Sequence, residues 1–307
     1  MALRALELYC GIGGFAAAVE SMDVRVVGAL DQSMEALEVY RLNFGENAVR
    51  QRDLERITVD ELAEYDADIW WLSPPCQPYS VRGVRKDLND PRAVSLVHLA
   101  NLFPLVPDDR LPSHIAVENV TGFAESEARG LLIRLFSDRG YRVLERRLCP
   151  TELGVPSRRP RYYLLASRAG INPACRSEKP SGRPLSVYIN PALSADIPQH
   201  LLLSAEVIDR FASGFRILDA NDPGAYTTCF TSGYGKSLMH AGSYLRCGEY
   251  VRRFAAEEIA CLLHFPPRFR FPDAMPARTK WRLIGNSLSV AAVREVLRVI
   301  PGAEVAH

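Results

Sequence analysis

The sequence predicts an α/β fold, a mostly parallel sheet with helices on both faces, plus a small irregular domain. Three observations predict it. Short apolar runs alternate with helix-period segments through the first half of the chain. The first run opens into a glycine-rich turn, and later runs end in loops with polar or reactive side chains. The alternation then stops for a long stretch and resumes near the end. Strands separated by helices pair in parallel, and ligands bind beyond the carboxyl ends of such strands.

The elements follow in order. Ala5 to Tyr9 reads as the first strand, followed by a helix to about Met22. Val24 to Leu30 reads as the second strand. Ser33 to Phe44 is an amphipathic helix, with Met34, Leu37 and Tyr40 at helical spacing. Ile69 to Leu72 and Ile115 to Val117 read as buried strands with helical patterns between them, and Leu131 to Phe136 belongs to a further helix. Val143 to Leu148 and Tyr162 to Ala166 read as later strands. The pattern breaks near Gly170, where Pro, Ser, Asn and Gly become frequent up to about Leu245. It returns at Phe254 to Leu263 and at Val290 to Val299. We expect a large domain over 1–170 and 246–307 and a small one over 171–245.

Composition narrows the function classes. The 307 residues include 37 Lys+Arg and 36 Asp+Glu, a net charge of +1. A nucleic-acid partner would need a local basic surface, because the whole chain is not basic. The seven cysteines show no Cys-x-x-Cys pair and no accompanying His cluster, so no metal site is expected. No apolar run approaches the roughly 20 residues that span a bilayer, so no membrane partner is expected. The start leads straight into a strand containing Glu7, which does not read as a secretory signal. A cytoplasmic protein with reduced thiols, working as a monomer, is the expectation.

Leu6 to Phe15 is a strand entering a turn with Gly11, Gly13 and Gly14 and then a helix start. Glycines let the backbone approach a ligand, and the first helical N–H groups lack partners. Asp31 ends the second strand 20 residues after Gly11, where an acid can grip two ribose hydroxyls. Asp53 follows the next short apolar run, where a side chain could reach an adenine edge. A tight turn with no ligand is the alternative. The glycine spacing is not G-x-G-x-x-G, which disfavours a dinucleotide with its pyrophosphate.

Ile69 to Leu72 ends at Ser73-Pro74-Pro75-Cys76-Gln77-Pro78-Tyr79-Ser80. The prolines stiffen the turn that would present the Cys76 thiol. A stretch with Arg82, Arg85, Lys86 and Arg92 follows, with Gly83 as a hinge, and reads as a basic loop able to close over a substrate. The alternative for Cys76 is a buried small hydrophobe. A cysteine hydrolase would need a His base, and no His sits in a recognisable partner motif. Ile115 to Val120 puts Glu118 and Asn119 at another strand end, either facing the same crevice or merely closing a strand. Gly154 to Tyr163 is an arginine cluster entering a strand. Such clusters are often only solvated, but Arg159-x-Arg161 aims both side chains to one side of an extended chain. One could hold a phosphate and the other a base carbonyl.

Taken together and in this order, the segments resemble the cytosine-5 DNA methyltransferase family. Gly11 to Phe15 is similar to its cofactor loop, Pro75-Cys76-Gln77 to its nucleophile motif and Glu118-Asn119-Val120 to its acid motif. Arg159-x-Arg161 is similar to its arginine motif, and Gly285-Asn286-Ser287-Leu288 to its late cofactor-contacting turn. Each motif alone is weak; all of them in order are specific.

The resemblance implies a Rossmann-like methyltransferase dependent on S-adenosyl-L-methionine, with S-adenosyl-L-homocysteine as product. It assigns the donor to Tyr9, Gly11, Gly13, Gly14 and Phe15, with Asp31, Asp53, Pro75, Asn286 and Ser287. It makes Cys76, Glu118, Arg159 and Arg161 catalytic. It gives Gln77, Ser80, Arg82, Arg85 and Asn119 to the substrate, together with Cys229, Phe230 and Thr231. The 171–245 segment becomes a target-recognition domain.

One branch of the family, which methylates tRNA rather than DNA, matches best. Ser73 to Tyr79, Cys229 to Gly235, Leu262 to Pro267 and Trp281 to Ser287 all resemble it. The implied substrate is a cytosine in a tRNA anticodon loop, typically of the aspartate tRNA. Duplex DNA is the alternative substrate, and a non-catalytic nucleic-acid-binding scaffold is the alternative class. Ser157 stands where many DNA-methylating members have Gln, Pro160 interrupts the arginine motif, and the small domain is short. In the implied mechanism Cys76 attacks carbon 6 of cytosine and makes carbon 5 nucleophilic, while Glu118 handles charge at ring nitrogen 3.

Overall fold

The computed structural model describes residues 2–80, 86–175 and 181–304. Backbone proximity divides the chain into two units. The first comprises Met1–Leu148, Pro160–Ser177 and Val293–His307; the second comprises Cys149–Arg159 and Glu178–Ala292.

The first unit is built on a seven-stranded sheet in the order β3-β2-β1-β4-β5-β7-β6. Its strands are β1 (Leu3–Leu8), β2 (Val24–Asp31), β3 (Val49–Gln51), β4 (Ile69–Leu72), β5 (His114–Val120), β6 (Arg142–Leu148) and β7 (Arg161–Ser167). β1 to β5 pair in parallel, and β7 runs antiparallel to both β5 and β6. The mostly parallel sheet is as expected; the reversal of β7 is added by the structure. A strand's direction depends on the connection that delivers it, and an apolar run reads the same both ways.

Its helices are α1 (Gly14–Val19), α2 (Met34–Phe44), α3 (Val59–Glu64), α4 (Val94–Leu102) and α5 (Glu127–Asp138). Every residue of β4 is buried, as a strand covered on both faces requires. Leu6, Leu8, Trp70, Leu72 and Val117 from the sheet share a core with Leu96, Phe103, Leu132 and Phe136. The Ser33 side chain accepts from Ala36 N at 3.3 Å to start α2. Thr58 and Glu61 form a reciprocal capping box at α3. From β1 the chain steps outward to β3, then returns to β4 on the other side of β1. The carboxyl ends of β1 and β4 therefore flank the point where strand order reverses, the usual ligand crevice of such a sheet.

The second unit holds α6 (Pro191–Ala195), α7 (Ala205–Phe211), β8 (Ile217–Leu218), β9 (Tyr244–Cys247), β10 (Tyr250–Arg253), α8 (Ala256–Leu262) and α9 (Ala277–Asn286). Its strands form a small sheet in the order β10-β9-β8. Phe230, Tyr234, Phe254 and Trp281 pack as an aromatic centre, with Tyr234 edge-on to Trp281 at 5.6 Å. Arg252 and Glu258 form a fully buried ion pair at 2.8 Å. From Val293 onward, α10 (Val290–Leu297) belongs to the first unit. There Arg294 donates to the Ala17 and Ala18 carbonyls, and Glu295 pairs with Arg146 at 3.2 Å.

The second unit is larger than the 171–245 segment anticipated. The 149–159 stretch joins it through the Ser157–Thr227 bridge and through Arg159. The 246–292 stretch joins it through the Arg252–Glu258 pair and Trp281. Patterning marks a regular element at Phe254 to Leu263; it does not show which core that element enters.

All seven cysteines are free thiols. Among the described residues no group of three or more His, Cys, Asp or Glu could hold a metal ion, and no helix is long and apolar enough to cross a membrane.

Candidate active site

Three strand ends of the first unit hold the expected site residues Tyr9 to Phe15, Cys76 and Glu118. Past β1, Tyr9, Gly11 and Gly13 have φ of 62°, 51° and 86°, so the chain curls sharply. The two glycines adopt this left-handed backbone without strain. They differ in surroundings. A Cβ on Gly11 would meet nothing within 4 Å, whereas one on Gly13 would lie 2.4 Å from the Phe44 ring. Gly11 thus borders open space, and Gly13 lets the loop press onto α2. Gly14 and Phe15 are buried in α1, and the Phe15 ring stacks on Trp71 at 5.0 Å. Phe15 anchors the loop from inside the fold.

Asp31 closes the loop from β2. Its Oδ2 accepts from Gly11 N at 2.9 Å and its Oδ1 from Ser33 N at 2.8 Å. Burial raises its pKa above the usual carboxylate range, against the pull of those N–H groups. Asp53, past β3, accepts from Glu55 N at 3.0 Å and lies 3.8 Å from Arg56. A ligand with a ribose and a base but no phosphate fits this set. It would find room beside Gly11 and a carboxylate at Asp31 with lone pairs left over after two backbone bonds.

Past β4, Trp71 Nε1 donates to Ser73 Oγ at 2.8 Å, and Cys76 leads into a 3-10 turn over Gln77–Tyr79. Tyr79 is buried edge-on against Phe123 at 4.7 Å, which pins the turn. The Gln77 Oε1 is buried with no hydrogen-bond partner among the described residues. Ser80 Oγ donates to the Gln77 carbonyl at 3.4 Å. Arg92 lies within electrostatic reach of Cys76, though its guanidinium is also bound to Asp90 at 2.7 Å. Arg82 and Arg85 lie outside the described residues.

Past β5, Glu118 is buried and its Oε1 lies 3.2 Å from Arg161 Nε. Register explains the meeting: Val120 pairs with Arg161, and Glu118 with Tyr163, across the antiparallel β5–β7 ladder. Leu72 pairs with Val117, so Glu118 and the cysteine loop leave adjacent strands at one sheet edge. Asn119 Nδ2 donates to the Pro74 carbonyl at 3.1 Å, and Asn119 Oδ1 accepts from Val120 N at 2.9 Å. Asn119, expected as a substrate contact, here ties the cysteine loop to β5. Residue types alone could not show this, because the bond depends on the β4–β5 register.

The other expected site residues belong to the second unit. Arg159 is buried and donates to the carbonyls of Phe230 at 2.8 Å, Gly285 at 3.1 Å and Ser287, and to the Cys229 sulfur at 3.3 Å. Its guanidinium ties the Cys229–Phe230 segment to the C-terminal end of α9. Phe230 is buried against Tyr234 and Phe254, Thr231 N bonds the Ala241 carbonyl at 2.9 Å, and Asn286 is the last residue of α9, followed by Ser287 as its cap.

Comparison with known proteins identifies the family. Residues 3–206 match the family described as C-5 cytosine-specific DNA methylase. The chain belongs to that family, whose members use S-adenosylmethionine to methylate carbon 5 of cytosine. It is 29% identical to the tRNA (cytosine(38)-C(5))-methyltransferase of Bos taurus, over 97% of this chain and 99% of that one. The protein of the same description from Schizosaccharomyces pombe is also 29% identical, over 97% and 96%. The crystal structure of S. pombe Dnmt2 methyltransferase superposes with a TM-score of 0.83 at 28% identity, covering 97% of this chain and 98% of that one.

Proposed function

We propose that this chain methylates carbon 5 of a cytosine in tRNA, at position 38 of the anticodon loop, through a covalent adduct on Cys76. The observation that carries the reading is the meeting, at one sheet edge, of the Cys76 loop, the Glu118–Arg161 pair and the Gly11–Asp31 loop. Near full-length similarity to relatives described as tRNA methyltransferases supports RNA over DNA.

The donor, S-adenosyl-L-methionine, supplies a methyl group on a positively charged sulfur. Asp31 would take its ribose hydroxyls, Gly11 would give it room, and Tyr9, Pro75 and Asp53 would border it; the family resemblance also assigns Asn286 and Ser287 to the donor. Carbon 5 of cytosine is a poor nucleophile. The Cys76 thiolate adds to carbon 6, and the ring electrons move to carbon 5. Glu118, held by Arg161, hydrogen-bonds ring nitrogen 3 and the exocyclic amine and offsets the charge that develops there. Arg161 itself faces the base carbonyl. After methylation the carbon 5 proton leaves to a base, the double bond re-forms and the Cys76 thiolate is expelled. Gln77 and Ser80 border the substrate in the first unit, and the family resemblance assigns Cys229 and Thr231 of the second unit to RNA recognition. An anticodon loop presents bases that are already partly unstacked, which lowers the cost of extruding one. We read the protein as a cytoplasmic monomer, a setting that suits seven free thiols.

Bisulfite sequencing of total tRNA after incubation with the donor tests the assignment. Protection of cytosine 38 by the wild type, and its absence with Cys76→Ala, is expected. Protection of cytosines in duplex DNA with none in tRNA would reassign the substrate.

A further inference from the structure

One buried acid has no part in the reaction above. Glu7 lies near the carboxyl end of β1, between Ala29 of β2 and Trp71 of β4, and is 1% exposed. A carboxyl group inside a parallel sheet is costly without partners. Glu7 has several. The Tyr40 hydroxyl, on α2, donates to Glu7 Oε2 at 3.2 Å, and the backbone N–H groups of Phe15 and Ala16 favour the charged form of its carboxyl. Those two residues are in the first turn of α1. The Tyr40 ring lies beneath the loop, where a Cβ on Gly13 would come within 3.1 Å of it. One side chain thus joins β1, α1 and α2 directly under the curl from Tyr9 to Gly13. The Cys10 thiol and the Asp31 carboxyl are the other titratable groups that face it.

We infer that Glu7 is a positioning residue for the methyl donor, fixing with Tyr40 the start of α1 against β1 and so the shape of the loop that receives the donor. The inference rests on the proposed reading that the Gly11–Asp31 loop holds the donor. Gly11 N is bound to Asp31, so the open face beside Gly11 keeps its shape only while both ends of the turn stay fixed. Asp31 holds one end from outside the loop. Glu7 holds the other from below.

The test is isothermal titration of the full chain with S-adenosyl-L-homocysteine, alongside tRNA binding and thermal unfolding. Asp31→Ala reports the donor-loop reading; Glu7→Ala, Glu7→Gln and Tyr40→Phe report the inference. Glu7→Ala is expected to weaken the probe about tenfold, the scale of one or two lost hydrogen bonds, and Tyr40→Phe by less. Glu7→Gln, which keeps an acceptor oxygen, should recover most of the loss. Binding of tRNA should stay as in the wild type. If Glu7→Ala does not fold, Tyr40→Phe decides, since it removes only a hydroxyl. Wild-type probe affinity in Tyr40→Phe and in any folded Glu7→Ala, with Asp31→Ala impaired, overturns the inference alone. Parallel loss of probe and tRNA binding also overturns it, because that pattern marks general destabilisation. Wild-type affinity in Asp31→Ala overturns the donor-loop reading and the inference with it.

Discussion

The bond from Asn119 Nδ2 to the Pro74 carbonyl lies in a buried site two residues before Cys76. Asn119→Ala removes the donor and leaves the carbonyl buried without it, at a cost of about 1–3 kcal/mol. We expect a lower melting temperature and a kcat reduced about tenfold, with donor affinity unchanged; single-turnover kinetics and calorimetry check both. A kcat equal to wild type would mean that the prolines alone hold the loop. Glu7 provides a second residue-level prediction, in pH. Burial pushes its pKa from 4.5 to about 8, against the bonds from Tyr40 and the Phe15 and Ala16 N–H groups. Between those values the folded state keeps a proton that the unfolded state has released. Stability therefore falls as pH rises from about 4.5 to 8. Glu7→Gln cannot titrate, so its stability relative to wild type should rise across that window in denaturant melts. A constant difference would contradict the assignment. At this scale the sequence was partly legible. Cys76, Glu118 and Arg161 stood out by residue type. Glu7 was visible as an acid in an apolar strand, but its partner Tyr40 lies 33 positions away, and only the fold makes them neighbours.

Helix α5 illustrates the element scale. Its first turn is capped locally by Ser126, which accepts from Arg129 N at 3.0 Å. It is capped again by Asp87, which accepts from Glu127 N at 2.6 Å and Ala128 N at 3.2 Å. Asp87 holds this position with φ of 50°, a backbone region that Asp tolerates better than most residues. Asp87→Ala loses the cap and keeps the backbone strain. It should cost about 1–3 kcal/mol, with Asp87→Asn nearer to wild type, as measured by chemical denaturation. An alanine variant as stable as wild type would show that Ser126 suffices. β1, β2, β4 and β5 were legible from their short apolar runs, unbroken only in β4, which burial on both faces demands. β3 has only three residues, too few for a period to show. The direction of β7 was hidden for a different reason: antiparallel pairing of β5 and β7 is set by the connection. Yet that pairing is what sets Arg161 beside Glu118.

At the scale of the whole molecule, charge is nearly balanced at +1. Binding to tRNA must then rest on local contacts and recognition of loop shape, with few phosphates neutralised. Each neutralised phosphate contributes about 0.7 to the slope of log affinity against log salt for single strands, so we predict a slope magnitude below about 4. Filter binding across salt concentrations measures it, and a slope near 10 would show a broad electrostatic footprint instead. The division into units was legible only in outline. Irregular composition marked the second unit's middle, while the α8 region had regular patterning that does not reveal which core receives it. The central claim is covalent addition of Cys76 to a tRNA cytosine. It is tested most directly with tRNA carrying 5-fluorocytosine at position 38, where carbon 5 has no proton to lose and the adduct cannot resolve. Incubated with the donor, denatured and analysed by intact mass, the wild type should carry the RNA on the Cys76 peptide, and Cys76→Ala should carry none. An adduct formed equally by Cys76→Ala, or formed only with 5-fluorocytosine in duplex DNA, would contradict the account.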